Sequence, residues 1–288
     1  MFRELEAAGA VLGNDAMRRM LVCGLLPMML LACQREAPPA AVPAGDAEPV
    51  AQDVQPLPDA PPRLEDVVEM DAKFIVGISY PPEANRYPGL AAALHRYAQT
   101  ARDELMEAVR GADLPAGTMY DLSLGFSTIA DTPDLLAIAA DGSTYTGGAH
   151  DNPLIERFVW LVAEERLLTA DVLLDGPDGW AAVAGYVREQ LHAALSQRID
   201  ADELDPDERS RLMRSAGKMI DEGSGPDVGN YQQFEPVLGA GGKLAGLRFV
   251  FPPYQVGPYS DGVQTVDVPA AVLRPHLANQ YRDLFIPG

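Results

Sequence analysis

His150 ends the run Tyr145-Thr146-Gly147-Gly148-Ala149-His150, where an imidazole follows a pair of glycines that tolerate positive φ. Such a histidine has three uses: it donates to a nearby carbonyl and locks the turn, it contacts a ligand, or it moves a proton. A second run, Phe251-Pro252-Pro253-Tyr254-Gln255-Val256-Gly257-Pro258-Tyr259-Ser260-Asp261-Gly262, offers the rings of Tyr254 and Tyr259. Rings of this kind, with an apolar body and a polar tip, suit either a half-buried core or an interface anchor. Aspartates and glutamates near His150 could supply acid and base to a hydrolase, the least favoured of the three. Ser143, Ser224 and Ser260 sit in no nucleophile motif, and Gly223-Ser224-Gly225 lacks the Gly-x-Ser-x-Gly spacing. The four histidines, His95, His150, His192 and His276, lie at least 42 residues apart, so no paired metal ligands and no cofactor are expected. Asp200, Asp202, Asp205 and Asp207 crowd together without the turn glycine and distal glutamate of a calcium loop. They read instead as a helix cap, and Glu164-Glu165 and Asp221-Glu222 as solvated turns.

The elements that must hold these residues are legible from side-chain period. Lys73–Tyr80 reads as a strand ended by Pro81-Pro82. Pro88–Val109 reads as a helix with Leu90, Leu94, Tyr97, Ala101 and Leu105 on one face. Thr118–Ile129 alternates, and Leu135–Ala140 and Leu154–Ala163 follow as further strands of an antiparallel meander. A helix is expected from Asp178 to about Ile199, with Trp180, Val183, Val187, Leu191 and Leu195 inward. Asp205-Pro206-Asp207-Glu208 supplies an N-cap, a proline at the first helical position and acids in the first turn, opening a helix to about Ile220. Strands return at Tyr231–Leu238, Leu244–Phe251 and Val263–Val268. The fold class expected is α+β, antiparallel sheets with inserted helices.

Ahead of this part, Arg18-Arg19, an apolar run from Met20 to Leu31, and Leu30-Leu31-Ala32-Cys33 read as a lipoprotein signal peptide, with the start at Met17. The run is too short for a bilayer-spanning helix of about 20 residues. Cys33 is the expected lipidation site, where several acyl chains give stable anchoring. Gln34 rather than Asp after it favours the outer membrane, facing the periplasm. Residues 34–63, rich in proline and alanine, read as an extended tether, followed by an N-terminal portion over 64–150 and a C-terminal portion over 151–288. Cys23 leaves with the signal, so no disulfide is expected. The 22 basic and 42 acidic residues give a net charge of −20, a poor match for nucleic acid or an anionic membrane surface and a good one for a cationic protein.

The two motif runs, about a hundred residues apart and followed by Val266-Asp267-Val268-Pro269, resemble a known family. It is the extracytoplasmic domain of the RsiV-type anti-sigma factors, found also as the non-catalytic N-terminal part of PdaC-type peptidoglycan deacetylases. The resemblance spans roughly Asp71 to Leu277. It implies an α+β fold, and a function of binding and inhibiting lysozyme, with Tyr145, Gly147, Gly148, Ala149, His150, Tyr254 and Tyr259 as candidate ligand-binding positions. No sigma-binding segment or deacetylase domain is readable. The expectation is therefore a non-enzymatic periplasmic lipoprotein that binds a lysozyme-like muramidase or another cell-wall-directed protein. The alternative is an envelope module that binds peptidoglycan or glycan directly.

Overall fold

Two antiparallel-rich sheets, each backed by a long helix, make up the residues described by the computed structural model, 63–112, 117–201 and 204–287. The signal segment, Cys33 and the 34–63 tether up to Pro62 lie outside the described residues, as does Asp202. Among the described residues no helix is long and apolar enough to cross a membrane.

The first sheet is built from β1 (Val67–Met70), β2 (Phe74–Ser79), β3 (Tyr120–Asp131), β4 (Leu135–Tyr145), β5 (Asn152–Leu161) and β6 (Arg166–Leu167), in that spatial order. Strands β3, β4 and β5 form the expected antiparallel meander, which the two-residue β6 extends. Strand β2 joins it in parallel, because the long helix α1 (Pro88–Gly111) carries the chain across one face before β3 begins. The strand β1, a four-residue partner of β2, was not apparent from alternation alone.

Helix α1 starts with a proline at its first turn and buries Leu90, Leu94, Ala98, Ala101 and Leu105, one stripe at three- and four-residue spacing. This stripe packs on Leu122, Leu124, Phe126, Leu136, Ile138, Phe158 and Trp160 of the sheet. Each fully buried leucine contributes roughly 1.5–3 kcal/mol. Leu135, Ala137, Val159 and Leu161 point to the opposite face and join the second core. Burial on both faces explains why Leu135–Ala140 is an unbroken apolar run where β3 alternates. A bulge between Thr128 and Ala130 adds one residue to β3 and turns Ala130 to that second face.

The second core belongs to the rest of the chain. A short helix α2 (Ala170–Leu173) precedes α3 (Gly176–Ala201), which begins two residues before the expected Asp178. Helix α4 (Pro206–Gly223) opens as its sequence indicates, with Asp205 Oδ1 accepting from the Asp207 and Glu208 amides at 2.9 and 3.0 Å. The second sheet has the order β7 (Phe234–Leu238), β8 (Leu244–Phe251) and β9 (Gln264–Pro269), all antiparallel, and α5 (Ala270–Leu273) follows. Tyr231, read as the start of a strand, lies instead in a 3-10 turn, Val228–Tyr231, with its ring fully buried. Trp180 from α3 stacks on Tyr231 at 5.2 Å, and both meet Phe249 of β8 edge-on. The architecture is thus α+β, with helices inserted between antiparallel strands.

Candidate functional site

The two motif runs meet. The β4–β5 loop carries His150 to the β8–β9 loop, where His150 Nε2 lies 2.8 Å from Tyr254 Oη across 104 residues of chain. The imidazole also stacks on Tyr259 with centroids 3.9 Å apart and planes 17° from parallel. Its other nitrogen, Nδ1, lies 2.9 Å from the Asp151 carbonyl. A carbonyl only accepts, so Nδ1 carries the proton and, in the neutral ring, Nε2 accepts from the Tyr254 hydroxyl. Both nitrogens are therefore engaged, Nδ1 within its own loop and Nε2 in joining the two loops.

Local sequence explains each approach. Gly147 and Gly148 sit at φ 90° and 121°, which lets the β4–β5 loop turn back over its own strand end. Tyr145 Oη donates to the Gly148 carbonyl at 3.4 Å. Ala149 is exposed. Asp121 of β3 is pushed above the usual carboxyl range, first by burial and then by the nearby charge of Asp151.

The β8–β9 loop divides the aromatic residues grouped by sequence. Phe251 is fully buried core, Tyr259 is half-buried, and Tyr254 is 57% exposed. Tyr254 stands at φ 74°, a left-handed conformation that costs a non-glycine residue of order 1–3 kcal/mol and that only a firmly held loop sustains. The loop is held from several sides. The Tyr254 amide donates to the Gly257 carbonyl at 2.9 Å. The Gln255 amide side chain donates to the carbonyls of Gly223 and Asn230 at 3.0 and 2.9 Å. Asp261 pairs with Arg198 of α3 at 2.8 Å and its carbonyl accepts from Gln264 at 2.6 Å. Gly223 is needed for close approach, since a Cβ there would fall 1.8 Å from the Gln255 carbonyl oxygen. Gln255, Gly223 and Arg198 are supporting residues that no motif or spacing in the sequence singled out.

A second polar knot lies where β5 meets β7. Arg157, with only 7% of its side chain exposed, donates through Nε to Glu235 at 2.6 Å and through Nη2 to Asp141 at 2.9 Å. It also donates to the carbonyls of Ala140 and Glu156. Next to it, Glu156 accepts from Gln233 Nε2 at 3.1 Å, and burial pushes its carboxyl above the usual range. Burial and the charge of Glu156 hold the Tyr97 hydroxyl up at about 12. A carboxyl raised in the folded state is best tolerated protonated, so its ionisation lowers stability as pH rises through its folded value. Glu156→Gln should therefore be more stable than the unsubstituted protein near neutral pH. The difference should vanish at pH below the ordinary carboxylate range, as urea midpoints at the two pH values would show.

The remaining histidines do not join the site. His95 lies on α1, His276 follows α5, and His192 on α3 faces Asp221 at 3.0 Å. Among the described residues no three His, Cys, Asp or Glu side chains are grouped as metal ligands would be.

The β8–β9 loop, α3, α4 and the three-stranded sheet form a contiguous part of the chain. Residues 170–271 match the family model DUF3298, a protein of unknown function. The DUF3298 region contains the whole second motif, while the first motif run lies outside it. Two solved structures of this family are similar to the chain. A member from Bacteroides fragilis has 16% identity and a TM-score of 0.46 over 75% of this chain and 93% of its own. One from Pseudomonas aeruginosa PAO1 has 16% identity and a TM-score of 0.47 over 78% of this chain and 96% of its own. No curated protein matches the chain.

Proposed function

We propose that the protein is a lipid-anchored periplasmic binding protein that recognises a lysozyme-like muramidase and blocks its glycan cleft with the β8–β9 loop. The observation that carries this reading is Tyr254: an exposed ring in a left-handed backbone conformation, held by His150, Gln255 and the Arg198–Asp261 pair. Rigid aromatic groups at the tip of a fixed loop are the usual anchors of inhibitor-type interfaces, because little entropy is lost when they dock. The net charge of −20 supports the same reading, since a cationic hydrolase is steered toward such a field. The resemblance of the paired motifs to RsiV-type domains supplies the partner class, and the signal pattern ending at Cys33 supplies the location.

The test is titration of the purified protein against c-type and bacterial muramidases at physiological salt, with residual activity read in the same samples. Stoichiometric inhibition is the expected result. Tyr254→Ala should weaken binding by at least about 2 kcal/mol, roughly thirtyfold, while lowering the thermal midpoint by only a few degrees, because the exposed ring contributes little to the core and its loss removes one hydrogen bond, to His150. Absence of binding to every muramidase, together with capture by purified sacculi, would replace this reading with direct glycan recognition.

A further inference from the structure

The proton positions at the meeting of the two motif loops are set by the one group that has no choice. The Asp151 carbonyl, 2.9 Å from His150 Nδ1, can only accept, so Nδ1 carries a hydrogen. In the neutral ring Nε2 then offers a lone pair, and the Tyr254 hydroxyl, 2.8 Å away, donates to it. A phenol has one proton to give. With that proton committed to His150, the Tyr254 oxygen can meet a group outside the molecule only as an acceptor. Tyr145 commits its hydroxyl proton in the same sense, to the Gly148 carbonyl at 3.4 Å.

This arrangement is held rather than free to turn. The stack on Tyr259 fixes the plane of the imidazole, and the left-handed backbone at Tyr254 fixes the phenol. The charges around it favour a cation. Asp151 follows His150 in the chain, and Asp121 of β3 is close enough to Asp151 for the two charges to interact. Arg198, the cation nearest in the loop's support, is taken by Asp261 at 2.8 Å. Lys73 stands at this end of the first sheet, its carbonyl accepting from the Tyr120 amide at 2.8 Å, but across β3 from the β4–β5 loop.

We propose that His150, acting through the Tyr254 hydroxyl, makes the tip of the β8–β9 loop selective for a cationic hydrogen-bond donor of a partner protein, an arginine or lysine side chain. The proposal rests on the reading that this loop is the binding tip, and adds which group of the partner it takes. His150 is here a positioning residue, because it acts on the partner through Tyr254. Protonating the imidazole inverts the tip: Nε2 then donates to the Tyr254 oxygen, the phenol proton is free to point outward, and the ring itself is positive. The same tip then disfavours a cation. The other titratable groups in this field are Asp151 of the same loop, Tyr145 of β4, Asp121 of β3, Lys73 before β2, Tyr254, Tyr259 and Asp261 of the β8–β9 loop, and Arg198 of α3.

The experiment follows the His150 and Tyr254 resonances of the whole protein by NMR while N-acetyl-arginine amide is added, at about pH 8 and about pH 5, on either side of the histidine charge change. The glutamate analogue of the probe is the control. At the higher pH the imidazole nitrogens should report Nδ1 protonated and Nε2 not, and the arginine probe, not the glutamate one, should shift both residues. Its affinity should fall about tenfold in Tyr254→Phe, and by a similar factor for the unsubstituted protein at the lower pH, with the pH effect gone in Tyr254→Phe. A neutral ring protonated on Nε2, an equal response to the glutamate probe, or equal binding by Tyr254→Phe overturns the proposal. The same titrations with a c-type muramidase separate this proposal from the reading beneath it. Binding of the arginine probe at Tyr254 with no muramidase bound overturns the muramidase reading and supports the donor site. Muramidase inhibition that Tyr254→Phe leaves unchanged at both pH values supports that reading and overturns the donor site.

Discussion

Phe249→Ala is expected to lose about 3–5 kcal/mol of folding stability, read as a fall in the urea midpoint at unchanged slope. Phe249 is fully buried at the centre of the second sheet and meets Trp180, Tyr231 and Phe234 with ring centroids 6.3, 5.2 and 6.2 Å away. Those partners come from α3, the 3-10 turn and β7, so the cavity left by truncation has rigid walls on three sides and little freedom to collapse. A loss of this size is a large share of the roughly 5–15 kcal/mol that holds a domain together. Because the same sheet carries the β8–β9 loop, the binding proposed for that loop should fall in parallel with the folded fraction, and a loss below about 1 kcal/mol would show that this core is loosely packed.

The second large effect concerns Arg157. Arg157→Ala should cost about 3–5 kcal/mol, mainly because Glu235, only 13% exposed, is left charged without its partner. Removing both charges tests this cause. Arg157→Met combined with Glu235→Leu should recover most of the loss, since an apolar pair of similar volume avoids the desolvation cost altogether. If the double substitution were as damaging as the single one, the bonds from Arg157 to the Ala140 and Glu156 carbonyls, rather than the ion pair, would be what joins β4, β5 and β7.

These two residues differ in how visible they were in advance. Phe249 sits in the apolar strand Leu244–Phe251, and its burial follows from the local pattern. Arg157 follows Glu156 in a segment readable only as a strand, and no local feature marks it as a buried cation, since its partners Asp141 and Glu235 are 16 and 78 residues away. The same contrast runs through the site. Both motif runs are conspicuous by composition, yet nothing in their spacing states that His150 Nε2 reaches Tyr254 or that Phe251 turns inward while Tyr254, three residues later, turns out.

What the sequence determined by itself was whatever depends on neighbours within a few turns or along one strand. That includes the apolar stripes of α1 and α3, the Asp205-Pro206 start of α4, the alternation of β3 and the inserted-helix α+β class. Helical and extended backbones impose periods of 3.6 and 2 on the side chains, and caps act over one turn, so these features are written locally. The tertiary structure alone decided the parallel entry of β2, the pairing of β1 with β2, the second buried face of β4, and the meeting of the two motif loops. Each of these depends on which distant segments the crossover helix and the two sheets bring together, and a contact across a hundred residues leaves no period in the chain that makes it.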